Sequence, residues 1–190
     1  MKKSILLVAF LISTNFTAIA QDMTTLKVEA RKAYEASANM NYDAIFDTTY
    51  PKVFDIIPKE QMKEMFAQML SNEQFNIKLV QVEPNLSFGE IKKIGKQNFC
   101  LVDHDNVMEM AFIAPVEDPE MMVGIFKSSM EAKDVTFNKE KNTFTIKLRS
   151  ALIAVADDLT NNSWKFLNKD KENKLFSMLF DEKVKSELGL

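Results

Sequence analysis

The stretch "FCLVDHDNVMEMAF", residues 99–112, holds the only histidine of the chain, His104, between Asp103 and Asp105. Its reading decides how the strands divide and whether the chain has a candidate reaction centre. "NFCLVD" and "NVMEMAFIA" are both strand-like runs. With Leu101 and Val107 in paired strands, Asp103 to Asn106 form the connection. Asp and Asn suit that role because their side chains bond the local backbone and tolerate unusual dihedrals. A catalytic histidine needs a fixed pocket and a partner that orients its ring, and a hairpin tip supplies neither. Three consecutive residues also seldom point inward together, so Asp103, His104 and Asp105 make a poor metal site. The sequence therefore predicts two strands joined by a turn at "DHDN", with no metal.

Upstream, the periodicity is helical. Leu26, Ala30, Ala33, Tyr34 and Ser37 recur at three- and four-residue steps. Asn41 offers a cap for a second helix through Tyr42, Ile45, Phe46 and Thr49, which Pro51 should end or kink. Val53, Phe54 and Ile57 carry an apolar face to Pro58, well placed to start a third helix. That helix carries one stripe of Met62, Met65, Phe66, Met69 and Leu70. The period then drops to two at Phe75, Ile77 and Leu79. Asp118-Pro119-Glu120 reads as a helix start, with Met122, Ile125, Phe126 and Met130 on one face. Residues 134–158 read as a hairpin turning at "NKEKN", followed by a turn at "LTNNS", a strand at "WKFL", and a helical tail over "KENKLFSMLFDEKVKSEL". Helices followed by strands argue an α+β domain with helices on one face of a mainly antiparallel sheet.

The opening "MKKSILLVAFLISTNFTAIAQ" has a basic start at Lys2 and Lys3, an apolar run from Ser4 to Leu11, and small residues at Ala18 and Ala20. These are the marks of a signal peptide spanning residues 1–20, cleaved before Gln21. Residues 21–190 then form one exported domain, periplasmic or extracellular, with no stable membrane insertion after cleavage. Removing the two leader lysines from 24 basic residues leaves 22 against 27 acids, a net charge of −5. Without a basic cluster, such a chain has no footprint for nucleic acid. One cysteine cannot form an internal disulfide, so core burial must hold the fold, and Cys100 reads as a small buried hydrophobe. Fifteen Phe and twelve Met supply the apolar volume. With four glycines and no nucleotide-binding Gly motif (the segment "FGEIKKIG" fits none), the chain suggests no cofactor.

The segment "ANMNYDAIFDTTYPKVFDIIPKEQMKEMFAQML", residues 38–70, resembles the second and third helices of the nuclear transport factor 2-like superfamily. "NSWKFLN", residues 162–168, resembles a late sheet strand of the same superfamily. The resemblance covers most of the mature chain and implies a small exported bacterial member: N-terminal helices packed on a curved sheet to form a cone. Enzymes of that superfamily place an acid–base residue, often Asp or His, inside the cone. No position here matches such a motif, so no catalytic residue is carried over.

Glu109 lies opposite Met108 and Met110 by strand alternation, and faces either a cavity or, more simply, solvent. Asp47 reads as solvent-facing. Arg149 is one of two arginines beside 22 lysines; it sits on a solvated strand face or anchors an anionic ligand, since guanidinium grips carboxylate in two-pronged geometry. Tyr34, Tyr50 and Phe54 line the helix side of a cone or belong to ordinary core. The candidate ligand-binding set is therefore Tyr34, Tyr50, Phe54, Glu109 and Arg149. The leading reading is a non-catalytic exported domain binding a small apolar or amphipathic molecule in the cone. The alternatives are an interaction module with a filled cone, working through its sheet or as a homodimer, and an isomerase- or hydrolase-like enzyme. Mass analysis of the exported chain is expected to place its N-terminus at Gln21; a species retaining Lys2 would contradict the leader assignment.

Overall fold

The computed structural model describes the backbone over residues 14–190 and side chains from Met23 onward. The basic start and apolar run expected to form a leader lie outside the described residues. Helix α1 spans Thr14–Ala38. Helix α2, Tyr42–Thr48, is capped as expected: the Asn41 side chain accepts from the Ala44 amide at 3.2 Å. The helix closes before Pro51, and a single turn, α3 (Val53–Ile56), precedes α4 (Lys59–Leu70), which starts directly after Pro58. The expected α4 stripe is split. Met62 is buried and Phe66 stacks on Tyr42 at 6.2 Å, but Met65 and Met69 are 49 % and 56 % exposed. The helix lies at the margin of the core, so one row of its surface packs and the adjoining row does not.

The strands are β1 (Phe75–Val80), β2 (Ser87–Phe88), β3 (Lys92–Ile94), β4 (Gln97–Phe112), β5 (Asp134–Asn138), β6 (Thr143–Ala156) and β7 (Lys165–Asn168). Helix α5 (Pro119–Ser129) starts where expected, with the Asp118 side chain accepting from the Met121 amide at 2.9 Å. Two short helices, α6 (Lys174–Leu179) and α7 (Glu182–Leu188), form the tail, divided where Asp181 caps α7. The main sheet runs β1-β4-β6-β5, with β2 and β3 also on β4 and β7 on β6, and every strand pairing is antiparallel. The fold class is α+β, with helices packed on an antiparallel sheet.

The turn expected at Asp103–Asn106 is absent. Strand β4 passes through those residues unbroken, with His104 opposite Ser150 and Asp105 opposite Arg149. Pairing overrides local turn preference here: β6 offers a continuous apolar-alternating partner along the whole length of β4. A tight hairpin also demands residues at positive φ, and "DHDN" lacks the glycine that usually meets that demand. Among the described residues the positive-φ asparagines are Asn85, Asn142, Asn161, Asn162 and Asn173, all outside β4.

The helices divide between the two faces of the sheet, where the sequence pattern suggested one. Phe99, Ile153, Val155 and Leu167 meet Phe46, Tyr50, Val53 and Met62 from α2–α4 and the loop between them, together with Phe176 and Val184 from α6 and α7. The alternate residues Cys100, Val102, Leu152, Ala154 and Phe166 meet Leu26, Ala30 and Ala33 of α1, with Trp164 beside them. Further along that second face, Met110, Phe144 and Ile146 pack against Phe126 of α5. Each fully buried large side chain contributes about 1.5–3 kcal/mol.

One buried polar knot fastens the first face. The Tyr50 hydroxyl and the Gln97 amide both donate to Asp157 Oδ2 at 2.8 Å, and the Thr160 amide donates to Asp157 Oδ1 at 3.2 Å. The knot joins the α2–α3 turn, the start of β4 and the end of β6. Burial, then the Asp157 carboxylate, pushes the Tyr50 hydroxyl well above its ordinary value, so it stays a proton donor. Tyr50→Phe leaves a buried carboxylate oxygen short of a donor, and is expected to cost about 1–3 kcal/mol. Urea unfolding should show this as a lower midpoint with an unchanged slope; an unchanged midpoint would remove the knot from the account.

Candidate functional site

A densely bonded polar region surrounds residues 81–86, which leave the sheet edge between β1 and β2. Pairing of β1 with β4 ends at Val80–Val107 and resumes with β2 at Ser87–Asp103. The excursion turns at Asn85, at φ +45°, and is held to β4 where the Asp105 amide donates to the Pro84 carbonyl at 2.7 Å. From α1, the Tyr34 hydroxyl donates to the Val82 carbonyl at 3.0 Å and Arg31 pairs with Glu83 at 2.7 Å.

From the other face, Arg149 reaches the same segment. Its Nη1 meets Asp105 Oδ1 at 2.9 Å and the Asn85 carbonyl at 3.3 Å, and its Nη2 meets Ser87 Oγ at 2.6 Å. Asp105 also accepts from Asn85 Nδ2 at 2.8 Å and Lys133 Nζ at 3.3 Å. The donors from Asn85, Arg149 and Lys133 hold the Asp105 carboxyl down at about 2. Arg149 is thus engaged in holding the segment, and an anionic ligand would have to displace Asp105 to use it.

Between α1 and the returning segment lies a surface groove of about 450 Å³, lined by Lys27, Arg31, Glu83, Asn85, Leu86 and Phe88. The Lys27 ammonium stands 6.0 Å from the Phe88 ring centroid. The groove presents two cations above an apolar floor, with Glu83 partly neutralising one of them. A second concavity, of about 260 Å³, lies on the uncovered part of the sheet, where Glu109, Lys78, Thr143 and Thr145 make a polar lining.

The five nominated residues do not assemble into one cone. Tyr34 and Arg149 converge on the 81–88 segment from opposite faces, as positioning residues for the groove wall. Tyr50 is fully buried in the first-face core, and Phe54 packs edge-on against Phe46 at 5.7 Å with Lys59 above it. Tyr34 and Tyr50 therefore lie on opposite sides of the sheet. The space between α2–α4 and the sheet is occupied by Tyr50, Phe99, Phe176 and Phe180, in ring contact with one another. Glu109 stands by itself on the uncovered sheet face, opposite Lys78 and Thr145. Asp47 is exposed, and Cys100 is buried with its thiol pushed up to about 11 by that burial, both as the sequence indicates.

His104, expected on a turn, is 7 % exposed under α1, its ring edge-on to Tyr34 at 5.7 Å. Burial is the main cause that lowers its proton affinity. Sequence reasoning missed Lys27, Asn85 and Asp157; the available signals were Asn85 in "EPN" as turn chemistry and Asp157 beside Thr160 as a cap. Among the described residues no three His, Cys, Asp or Glu side chains gather as a metal site, and no helix is long and apolar enough to cross a membrane. No family model matches the chain, and no curated protein or solved structure matches it significantly.

Because the folded Asp105 carboxyl lies below its unfolded value of about 3.9, its contribution is complete above that pH and is lost as pH falls through about 2. Asp105→Asn is expected to flatten the loss of stability between pH 4 and pH 2. An acid limb identical to that of the parent chain would show that the Asn85–Asp105–Arg149 cluster does not contribute.

Proposed function

We propose that the chain acts after export as a non-catalytic binding domain, on a framework resembling the nuclear transport factor 2-like superfamily. Its ligand is a small amphipathic molecule with an anionic group, held in the groove between α1 and residues 83–88 and not in an internal cone. The carrying observation is that groove: Lys27 stands over Phe88, with Leu86 and the Arg31–Glu83 pair beside it, in a volume of about 450 Å³, within the range of small-molecule sites. An anionic head would meet Lys27, and an apolar body would lie along Leu86 and Phe88. Among the described residues the space between α2–α4 and the sheet is filled: Tyr50, Asp157, Gln97 and Thr160 bond one another and the surrounding aromatics close around them. That closure also favours a non-catalytic role, since an acid–base group needs a substrate within hydrogen-bond reach.

A second reading, an interaction module with a filled interior, draws on Met65 and Met69, which are exposed one turn apart on α4. The uncovered sheet face favours it less, since Lys78, Glu109, Thr143 and Thr145 make that surface polar. Native mass spectrometry of residues 21–190, with and without added decanoate as a probe, separates the two. The groove reading expects an adduct that vanishes on denaturation and is reduced at least about tenfold in affinity, or about 1.4 kcal/mol, by Lys27→Glu. A bare mass under both conditions would overturn it, and a bare dimer would favour the interaction reading.

A further inference from the structure

We propose that His104 is an acid-operated release for α1: charging its imidazole frees the helix from the sheet and dismantles the groove wall that carries Lys27 and Arg31. The effect on the groove rests on the ligand reading above; the release of α1 does not.

Position is the first ground. His104 sits on the sheet face covered by α1, and its Nδ1 is buried with no hydrogen-bond partner. From α1 it faces Tyr34, whose hydroxyl is already committed to the Val82 carbonyl. From β6 it faces Ser150, whose hydroxyl accepts from the Asn106 amide. The nearby charges are engaged or turned away. Asp105 leaves on the opposite face to Arg149 and Lys133, Asp103 is exposed there beside Ser87, and on α1 Arg31 pairs with Glu83 and Glu29 with Lys32. An imidazolium carries two N–H donors, and one of them would point into this unpartnered position at the cost of a buried unsatisfied charge.

The second ground is how α1 is packed. Among the described residues its buried side chains are Leu26, Ala30, Ala33, Tyr34 and Ala36, and three of those five are alanines with little apolar surface to bury. The opposite face is packed by Tyr50, Phe99, Phe176 and Ile153 and contains no histidine. A penalty arising at His104 therefore falls on the contact between α1 and the sheet and leaves the packing of the opposite face standing.

The sign follows from linkage. Burial, the largest cause, lowers the folded proton affinity of His104; the Arg149 cation acts in the same direction, while the Asp105 backbone, the Asn106 side chain and Asp103 oppose it. The unfolded state then binds more protons, so stability begins to fall as pH drops below about 6.5 and continues to fall down to the folded value. No other side chain of the chain ordinarily titrates between pH 7 and pH 5, because His104 is its one histidine.

The test uses untagged residues 21–190 without ligand. The imidazole resonance of His104, the emission of Trp164 (which packs in the α1 cluster) and amide exchange are followed from pH 7.5 to pH 4.5. Three results are expected. His104 titrates below its ordinary value. Trp164 emission moves to the red with the same midpoint. After correction for intrinsic chemistry, α1 amides exchange several-fold faster at pH 5 than at pH 7.5 while β6 amides hold. His104→Gln should abolish the emission change. The proposal is overturned if that variant follows the parent chain, or if His104 titrates normally while α1 stays protected; the parent titration alone decides should the variant fail to fold. Since none of these readings involves a ligand, their failure is distinct from loss of the decanoate adduct at pH 7.5.

Discussion

The pairing of β4 with β6 is the constraint on which the rest of the molecule depends. From Asn98–Ala156 to Ala111–Thr143 the two strands run side by side without a break. This ladder places His104, Asp105, Glu109 and Arg149: odd residues of β4 face one way, even residues the other, and a slip of one position would exchange them. Because the ladder passes through Asp103–Asn106, His104 becomes a buried group under α1 while its neighbour Asp105 becomes the ion-pair partner of Arg149 on the far side. Two adjacent residues thus serve two separate layers.

The ladder also explains why the groove forms where it does. Strand β1 stops pairing at Val80, so the edge of β4 is free to take up β2 and then β3, and the intervening residues must leave the plane. Backbone that leaves a sheet needs new partners. Its carbonyls find them: Val82 accepts from the Tyr34 hydroxyl on one side, and Pro84 and Asn85 accept from the Asp105 amide and Arg149 Nη1 on the other. The groove is the hollow left between that strapped segment and α1. Its cations come from the helix and its apolar floor from the returning strand.

Much of the architecture was legible in the sequence where local chemistry and tertiary outcome agree. Asn41, Pro58 and Asp118 mark helix starts, and "NKEKN" marks the β5–β6 turn, because capping and turn preferences act over a few residues. Two features were not read. The first is the continuity of β4, since Asp, His, Asp and Asn together look like turn chemistry until a long partner strand is known. The second is the division of helices between faces. Its signal is present in the unbroken apolar run Ala151–Ala156, which reads as a strand buried on both sides rather than one. The candidate site was the least legible part. Tyr34 and Arg149 were nominated as ligand contacts, and the structure places them as supports of one segment, a relation fixed by strand register and invisible in residue type.

The most direct measurement is backbone amide exchange across residues 99–112 at neutral pH. A continuous central strand predicts that the amides of residues 103–106 exchange as slowly as those of Val102 and Met108. Rapid exchange confined to those four residues would restore the hairpin turn, expose His104, and remove the basis for both the groove geometry and its acid control.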